Sequence, residues 1–341
     1  MFGTFRFVLA LFVVIGHILG MRHSAGAAVF SFYLLSGFLM THIMIERYNY
    51  DLKSFLVFCY HRFLRLYPMY WIALVIGILA ILVVSKETAI LVNERLYMPS
   101  NTWEWLWNLF IVSPSLFPLE FRPRIVSPAW ALTVEIFYYI LIALGISRSR
   151  KWTWIWLLVS FIYYYSTYFA GYDYGWRAKG LLCASLPFAL GSLLYHYKGR
   201  FPKLGAKLGV KMGVIVVYSV ISIVSYIILD FTSPKWASLL FDFSIIPSVI
   251  TLVILYPKLE NSNSLAAKLD FQLGGLSYPF YLLHWPVALW VVYLFGLNPD
   301  LGLTKDGLVA FAFILVIITV IGLCFENFLE PQIRKLRKLI K

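Results

Sequence analysis

Ten apolar runs divide the chain, with most polar residues falling between them, near 2–21, 25–45, 67–84, 129–147, 152–170, 180–197, 210–229, 236–256, 273–296 and 306–328. Each approaches the roughly 20 residues that a helix needs to cross the hydrocarbon of a bilayer. In such a layer only helices and closed barrels satisfy all their backbone hydrogen bonds. The pattern therefore predicts an all-α polytopic transmembrane bundle of about ten spans, forming one domain over residues 1–341. The stretch 103–118, WEWLWNLFIVSPSLFP, is apolar but short and carries two prolines near its end. It reads as an interfacial or re-entrant segment. No internal repeat, low-complexity tract or appended soluble domain breaks the series. The first run is full length and lacks a small-residue cleavage site, so it is kept as a span.

Composition agrees with the pattern: 61% of the residues are hydrophobic and only 13% are charged. The net charge of +13 would suggest a nucleic-acid partner on a soluble chain. Here it follows the loops, and no nucleic acid is expected. With the N-terminus inside, nineteen Lys and Arg residues fall on the inner side and nine on the outer side. That bias puts both termini in the cytoplasm and the longest non-spanning segment, 85–128, outside. Cys59, Cys183 and Cys324 show neither paired nor metal-ligand spacing, so neither a disulfide framework nor a metal is expected.

Ionisable residues inside apolar runs carry the candidate chemistry, because a charge there costs about 2.5–3.5 kcal/mol on insertion scales. Arg6 and His17 lie eleven residues apart on the first run. Eleven helical steps make three turns plus roughly 20°, so both lie on one face about 16 Å apart. Taken singly, each has a plain alternative, a snorkelling arginine and a packed histidine. Their shared face favours an internal polar seam. Ser36-Gly37 in the second run suits close helix approach. Arg62 and Arg65, at i and i+3, can fork around phosphate oxygens; anchoring to lipid head groups is the alternative. Pro68 is expected to open the third span. Glu135 sits about two turns inside an apolar run and needs a partner, an arginine or a polar site. Ser277, Tyr281 and His284 share a face of the ninth run, with Pro279 and Pro286 able to bend it. Trp103, Trp105 and Trp107 suit either an interfacial belt or stacking on sugar rings.

Taken in order, these pieces resemble the acyltransferase-3 family, the membrane O-acyltransferases of bacterial surface glycans. Arg6-x10-His17 resembles its first-span signature, Ser36-Gly37-Phe38 its second-span motif, and Arg62-x-x-Arg65-Leu66-Tyr67-Pro68 its arginine motif. Trp130 and Glu135 in WALTVE resemble its W-S-L-x-V-E element, with Ala131 where the family carries Ser. LSYPFYLLHWP resembles its late-span motif, and Glu330-Pro331 its closing E-x-P without the intervening residue. The resemblance implies transfer of an acyl group, usually acetyl, from acetyl-CoA or another acyl-CoA to a hydroxyl of a sugar in a surface or secreted glycan, in the bacterial inner membrane. It assigns catalysis to His17 and Glu135 and donor binding to Arg6, Arg62 and Arg65. Ser36, Trp130, Tyr278, Tyr281 and His284 become candidate substrate contacts. The expected partners are acyl-CoA, a carbohydrate acceptor, lipid-linked or not, and membrane lipids; no oligomeric state is implied. His17 can act as a base or as a nucleophile through an acyl-imidazole. A glycan-lipid flippase or a glycan polymerase is the rival reading, since transporters also carry intramembrane charges and broken helices.

Overall fold

The computed structural model describes residues 1–112, 116, 120–172, 177, 180–202, 207–230, 244–256 and 265–340. Every regular element among them is helical. The helices are α1 (Phe2–Ile18), α2 (Arg22–Arg47), α3 (Leu52–Val83), α4 (Lys86–Val92), α5 (Thr102–Phe110), α6 (Trp130–Ala143) and α7 (Arg150–Phe169). They continue with α8 (Ser185–His196), α9 (Leu208–Asp230), α10 (Ile245–Leu255), α11 (Leu265–Phe295), α12 (Lys305–Cys324) and α13 (Glu330–Leu339). Five stretches are long and apolar enough to cross a membrane: Ala25–Arg47, Leu52–Val83, Leu208–Ser225, Leu265–Phe295 and Lys305–Leu339. Phe2–Ile18, Ser127–Ala143 and Ile245–Leu255 are apolar but shorter. The start of the expected 236–256 span lies partly outside the described residues.

Pro68 does not open the third span. α3 starts at Leu52, where Asp51 accepts a hydrogen bond from the Ser54 amide, and it continues through Pro68 to Val83. An interior proline removes one backbone hydrogen bond and crowds the carbonyl four residues earlier, and here the helix continues past it. The arginine motif therefore sits inside a continuous helix rather than in a loop before it. Similarly, α12 passes through a π turn at Phe325–Leu329 into α13, so the closing Glu330-Pro331 begins a helix.

Side-chain contacts fix the relative directions of the helices. Thr4 meets Asp270 and His17 meets His284, so α1 and α11 run parallel. Tyr278 bonds the Leu66 carbonyl and Trp290 the Ile76 carbonyl, so α3 is parallel to α11 as well. Tyr33 packs on Phe188 while Thr41 bonds Ser192, which makes α2 and α8 parallel. The α11–α12, α7–α8 and α9–α10 pairs are antiparallel. Small residues allow the closest crossings. A side chain at Gly3 would strike the Asp270 carbonyl, and one at Gly37 the Phe188 carbonyl. Gly37 thus serves close approach.

α5 has nine residues, about 13 Å of helix, too short to cross. Its last carbonyls lack intrahelical donors, and side chains supply them. Tyr70 bonds the Asn108 carbonyl, Trp71 that of Leu109, Tyr67 that of Phe110 and Thr133 that of Ile111. A polar backbone end held this way suits the interfacial or re-entrant reading. Residues 113–115 and 117–119 of that stretch lie outside the description. At the other end Glu104 accepts the Ser100 amide, which holds its carboxyl below the usual range.

Gly37→Ala should lower the thermal unfolding midpoint in detergent, because the new methyl meets fixed backbone. Gly213→Ala in α9 should leave it unchanged or raise it, since nothing lies within 4 Å of that position and Ala is favoured over Gly in a helix by about 0.5–1 kcal/mol. Equal midpoints for the two variants would rule out the crossing described.

Candidate active site

The parallel contact of α1 with α11 brings two histidines together. His17 Nδ1 lies 2.9 Å from His284 Nε2. Their rings stack at 5.0 Å with a 19° interplanar angle, and Trp285 lies 5.7 Å from each. His284 is fully buried, whereas His17 is partly exposed. The His284 Nδ1 is 3.3 Å from the Phe280 carbonyl of the preceding turn. A carbonyl only accepts, so the proton of His284 belongs on Nδ1, and its Nε2 presents a lone pair. His17 then donates from Nδ1 and holds its own lone pair on Nε2. The opposite arrangement would face two lone pairs across the Phe280 contact.

One cavity of about 90 Å³ is lined by Arg6, Ser36, Arg62, Arg65, Glu135 and Tyr139 among others. A second, of about 40 Å³, is lined by Tyr33, Ala131, Leu132, Ser277 and Tyr281. The two share Arg6, Phe32, Glu135 and Tyr278, so they adjoin. Tyr281 lies one helical turn before His284. The cavities therefore run from the arginines on α3 to Tyr281, and neither His17 nor His284 lines them.

The charged residues in this region differ in their pairing. Glu135 accepts from Ser36 at 2.8 Å and from Tyr139 at 3.1 Å. Its hydrogen bonds go to hydroxyls, not to a histidine, and no ion pair joins it to an arginine among the described residues. Arg62 lies 5.5 Å from the Phe58 ring centroid and contacts the Met40 sulfur. Neither Arg62 nor Arg6 pairs with an acid among the described residues. Arg65 shares Glu330 with Arg334 and Arg337, at 3.4, 3.2 and 2.7 Å.

The other expected contacts have distinct places. Tyr278 lines both cavities and donates to the Leu66 carbonyl. Tyr281 is buried and donates to the Pro128 carbonyl, tying α11 to the turn before α6. Trp130 opens α6, half-buried, and lines neither cavity. Trp103 is 67% exposed, while Trp107 meets Phe121 edge-on at 4.4 Å. Sequence reasoning passed over Tyr139, although its i+4 spacing from Glu135 places both on one face. It also missed Tyr33, which no local pattern marks, and the role of Glu330 as a shared acid.

A family model described as an acyltransferase domain, that of acyltransferase-3, matches residues 3–326, nearly the whole chain. Comparison with curated proteins and with solved structures gave no match. The matched residues include Arg6, His17, Arg62, Arg65, Glu135 and His284 and end just before Glu330.

Glu330→Gln should lower the unfolding midpoint by an amount equivalent to about 1–3 kcal/mol. Breaking one side of a buried ion pair costs about 3–5 kcal/mol, reduced here because Arg337 is 21% and Arg334 42% exposed. Glu135→Gln should cost less, because its amide oxygen still accepts from Ser36 or Tyr139. Thermal unfolding of both variants checks the order.

Proposed function

The chain belongs to the acyltransferase-3 family, and we propose that it moves an acyl group, acetyl by resemblance, from cytoplasmic acyl-CoA to a sugar hydroxyl of a surface or secreted glycan. The observation that carries this reading is the pair of guanidiniums, Arg6 and Arg62, which line one cavity and form no ion pair among the described residues. Two such cations cost energy in apolar surroundings and are suited to a polyanionic ligand. Arg62 and Arg65 would hold the phosphates of the donor. Arg6 would guide its arm past Glu135 and Tyr278 toward His17.

The proposed chemistry uses the lone pair on His17 Nε2. The acceptor hydroxyl gives its proton to that nitrogen as its oxygen attacks the thioester carbonyl. The carbon–sulfur bond breaks, and the departing thiolate takes the proton back from His17. His284 keeps the His17 ring in the tautomer this step requires. An acyl-imidazole route uses the same lone pair. Glu135, bound by Ser36 and Tyr139, would set the polarity of the path and not act on the hydroxyl itself.

We place the protein in the inner membrane of a bacterium with ten crossings and both termini inside. The alternation of direction fits an even number of spans: α1, α3 and α11 point one way and α12 the other. The arginine end of α3 then faces the cytoplasm. His17, about 16 Å farther along α1, lies toward the outside. Only the acyl group needs to cross.

In sealed, oriented vesicles, transfer should require acyl-CoA on the Arg62/Arg65 face and an impermeant glycan acceptor on the other. Transfer only when both reactants share the cytoplasmic face would refute the arrangement, and glycan movement without thioester would favour a flippase. His17→Ala should insert normally and lose about 10²–10⁴ in turnover, the range of a general base. His284→Leu should lose most turnover with donor affinity intact, whereas His284→Gln, which keeps an acceptor, should retain more. Equal activity in the two His284 variants would show that the tautomer is set elsewhere.

A further inference from the structure

The smaller cavity contains a polar atom that the proposed mechanism does not use. Tyr33 on α2 is 1% exposed, and its hydroxyl has no hydrogen-bond partner among the described residues. The neighbouring tyrosines differ. Tyr139 bonds Glu135, Tyr278 bonds the Leu66 carbonyl and Tyr281 bonds the Pro128 carbonyl. The Tyr33 ring is also held in place. It stacks on Phe188 at 5.1 Å, and Phe188 stacks in turn on Tyr138 at 4.5 Å. The hydroxyl therefore cannot swing far to find another partner. Burying a hydroxyl without a hydrogen bond forfeits its hydration for nothing in return.

The surroundings indicate the ligand chemistry. Tyr33 lines the smaller cavity together with Val29, Phe32, Ala131 and Leu132, an apolar set. That cavity adjoins the arginine-lined one and extends to Tyr281, one turn before the histidine pair. The cavity shares Arg6 and Glu135 with the larger one, and the apolar remainder around the fixed Tyr33 hydroxyl suits a slender chain that carries carbonyl oxygens. It does not suit a sugar, whose many hydroxyls would need many partners.

We propose that Tyr33 donates a hydrogen bond to a carbonyl oxygen of the acyl-thioester arm, in the last part of its path to His17. This rests on the acyl-CoA reading above and assigns a residue within it. The hydroxyl has no partner among the described residues and gains one with the arm, so stability and binding should respond in opposite senses.

Full-length wild type and Tyr33→Phe, in nanodiscs, provide the test. Without ligand, Tyr33→Phe should raise the unfolding midpoint by about 1–4 °C, because an unpaired buried hydroxyl is gone. Tyr278→Phe, which removes a satisfied hydroxyl, should lower it. Titration with acetyl-CoA should show Tyr33→Phe binding about 3–10-fold more weakly than wild type. Titration with coenzyme A itself locates the bond: equal weakening assigns an amide carbonyl of the arm, and weakening for acetyl-CoA alone assigns the thioester carbonyl. Unchanged affinity for both ligands overturns the proposal. So does a lowered midpoint, which would mean that ordered water or the fold already satisfies the hydroxyl. If wild type binds neither ligand, the acyl-CoA reading fails and this inference with it. If wild type binds and the variant binds equally, this inference alone fails.

Discussion

The parallel seating of α1 on α11 is the contact on which the rest of the site depends. It is tied at both ends. Asp270 accepts from the amide and hydroxyl of Thr4 at 2.7 and 2.8 Å, and His17 meets His284 at 2.9 Å. Beside the Thr4 tie, Gly3 and Gly274 allow the backbones to approach as side chains would not. From Thr4 to His17 is thirteen residues and from Asp270 to His284 fourteen, so the two helices keep nearly equal rise. A slip by one residue would rotate a helix by about 100° and part the histidines. Close packing of small residues here supports a polar pair, as expected in a bilayer, where apolar side chains gain little by leaving lipid.

The charged groups follow a consistent physical logic. Glu330 is buried and meets three arginines, which makes a neutralised anchor where α3 and α13 meet. Glu135 is satisfied by hydroxyls alone. Arg6 and Arg62 are left as cations facing a cavity. Such groups persist in a folded protein only where something compensates them. The arginines divide accordingly: Arg334 and Arg337 bind Glu330, Arg65 reaches Glu330 from the cavity wall, and Arg6 and Arg62 line the cavity with no ion pair among the described residues. One to two turns farther along α3, the carbonyl end of α5 is bound by residues of α3 and α6, which keeps irregular backbone from facing lipid unpaired.

Much of this was legible in the sequence, for reasons that are local. Apolar runs report membrane helices because length and composition alone decide whether a segment suits hydrocarbon. The shared face of Arg6 and His17 follows from helical pitch, and so does that of Ser277, Tyr281 and His284. The ordered motifs carried the family. Other features were not local. Pro68 looked like a helix start, yet Asp51 begins the helix seventeen residues earlier and tertiary packing carries it through. Glu330 looked like the end of a motif, and its three arginines come from two helices that only the fold brings together.

By itself the sequence determined the all-helical membrane architecture, the family and the ionisable residues Arg6, His17, Glu135 and His284 inside apolar runs. Periodicity and transfer free energy act along one segment at a time, so one segment is enough to read them. Only the tertiary structure decided which of those residues meet. His284 turned out to be the partner of His17, Glu135 the acceptor of Ser36 and Tyr139, and Tyr33 a rigid donor without a protein partner. A hydrogen bond depends on positions within a few tenths of an ångström, on residues as much as 267 apart in the chain. Those positions are set by helix crossings, and a crossing is a property of two surfaces that neither segment encodes alone.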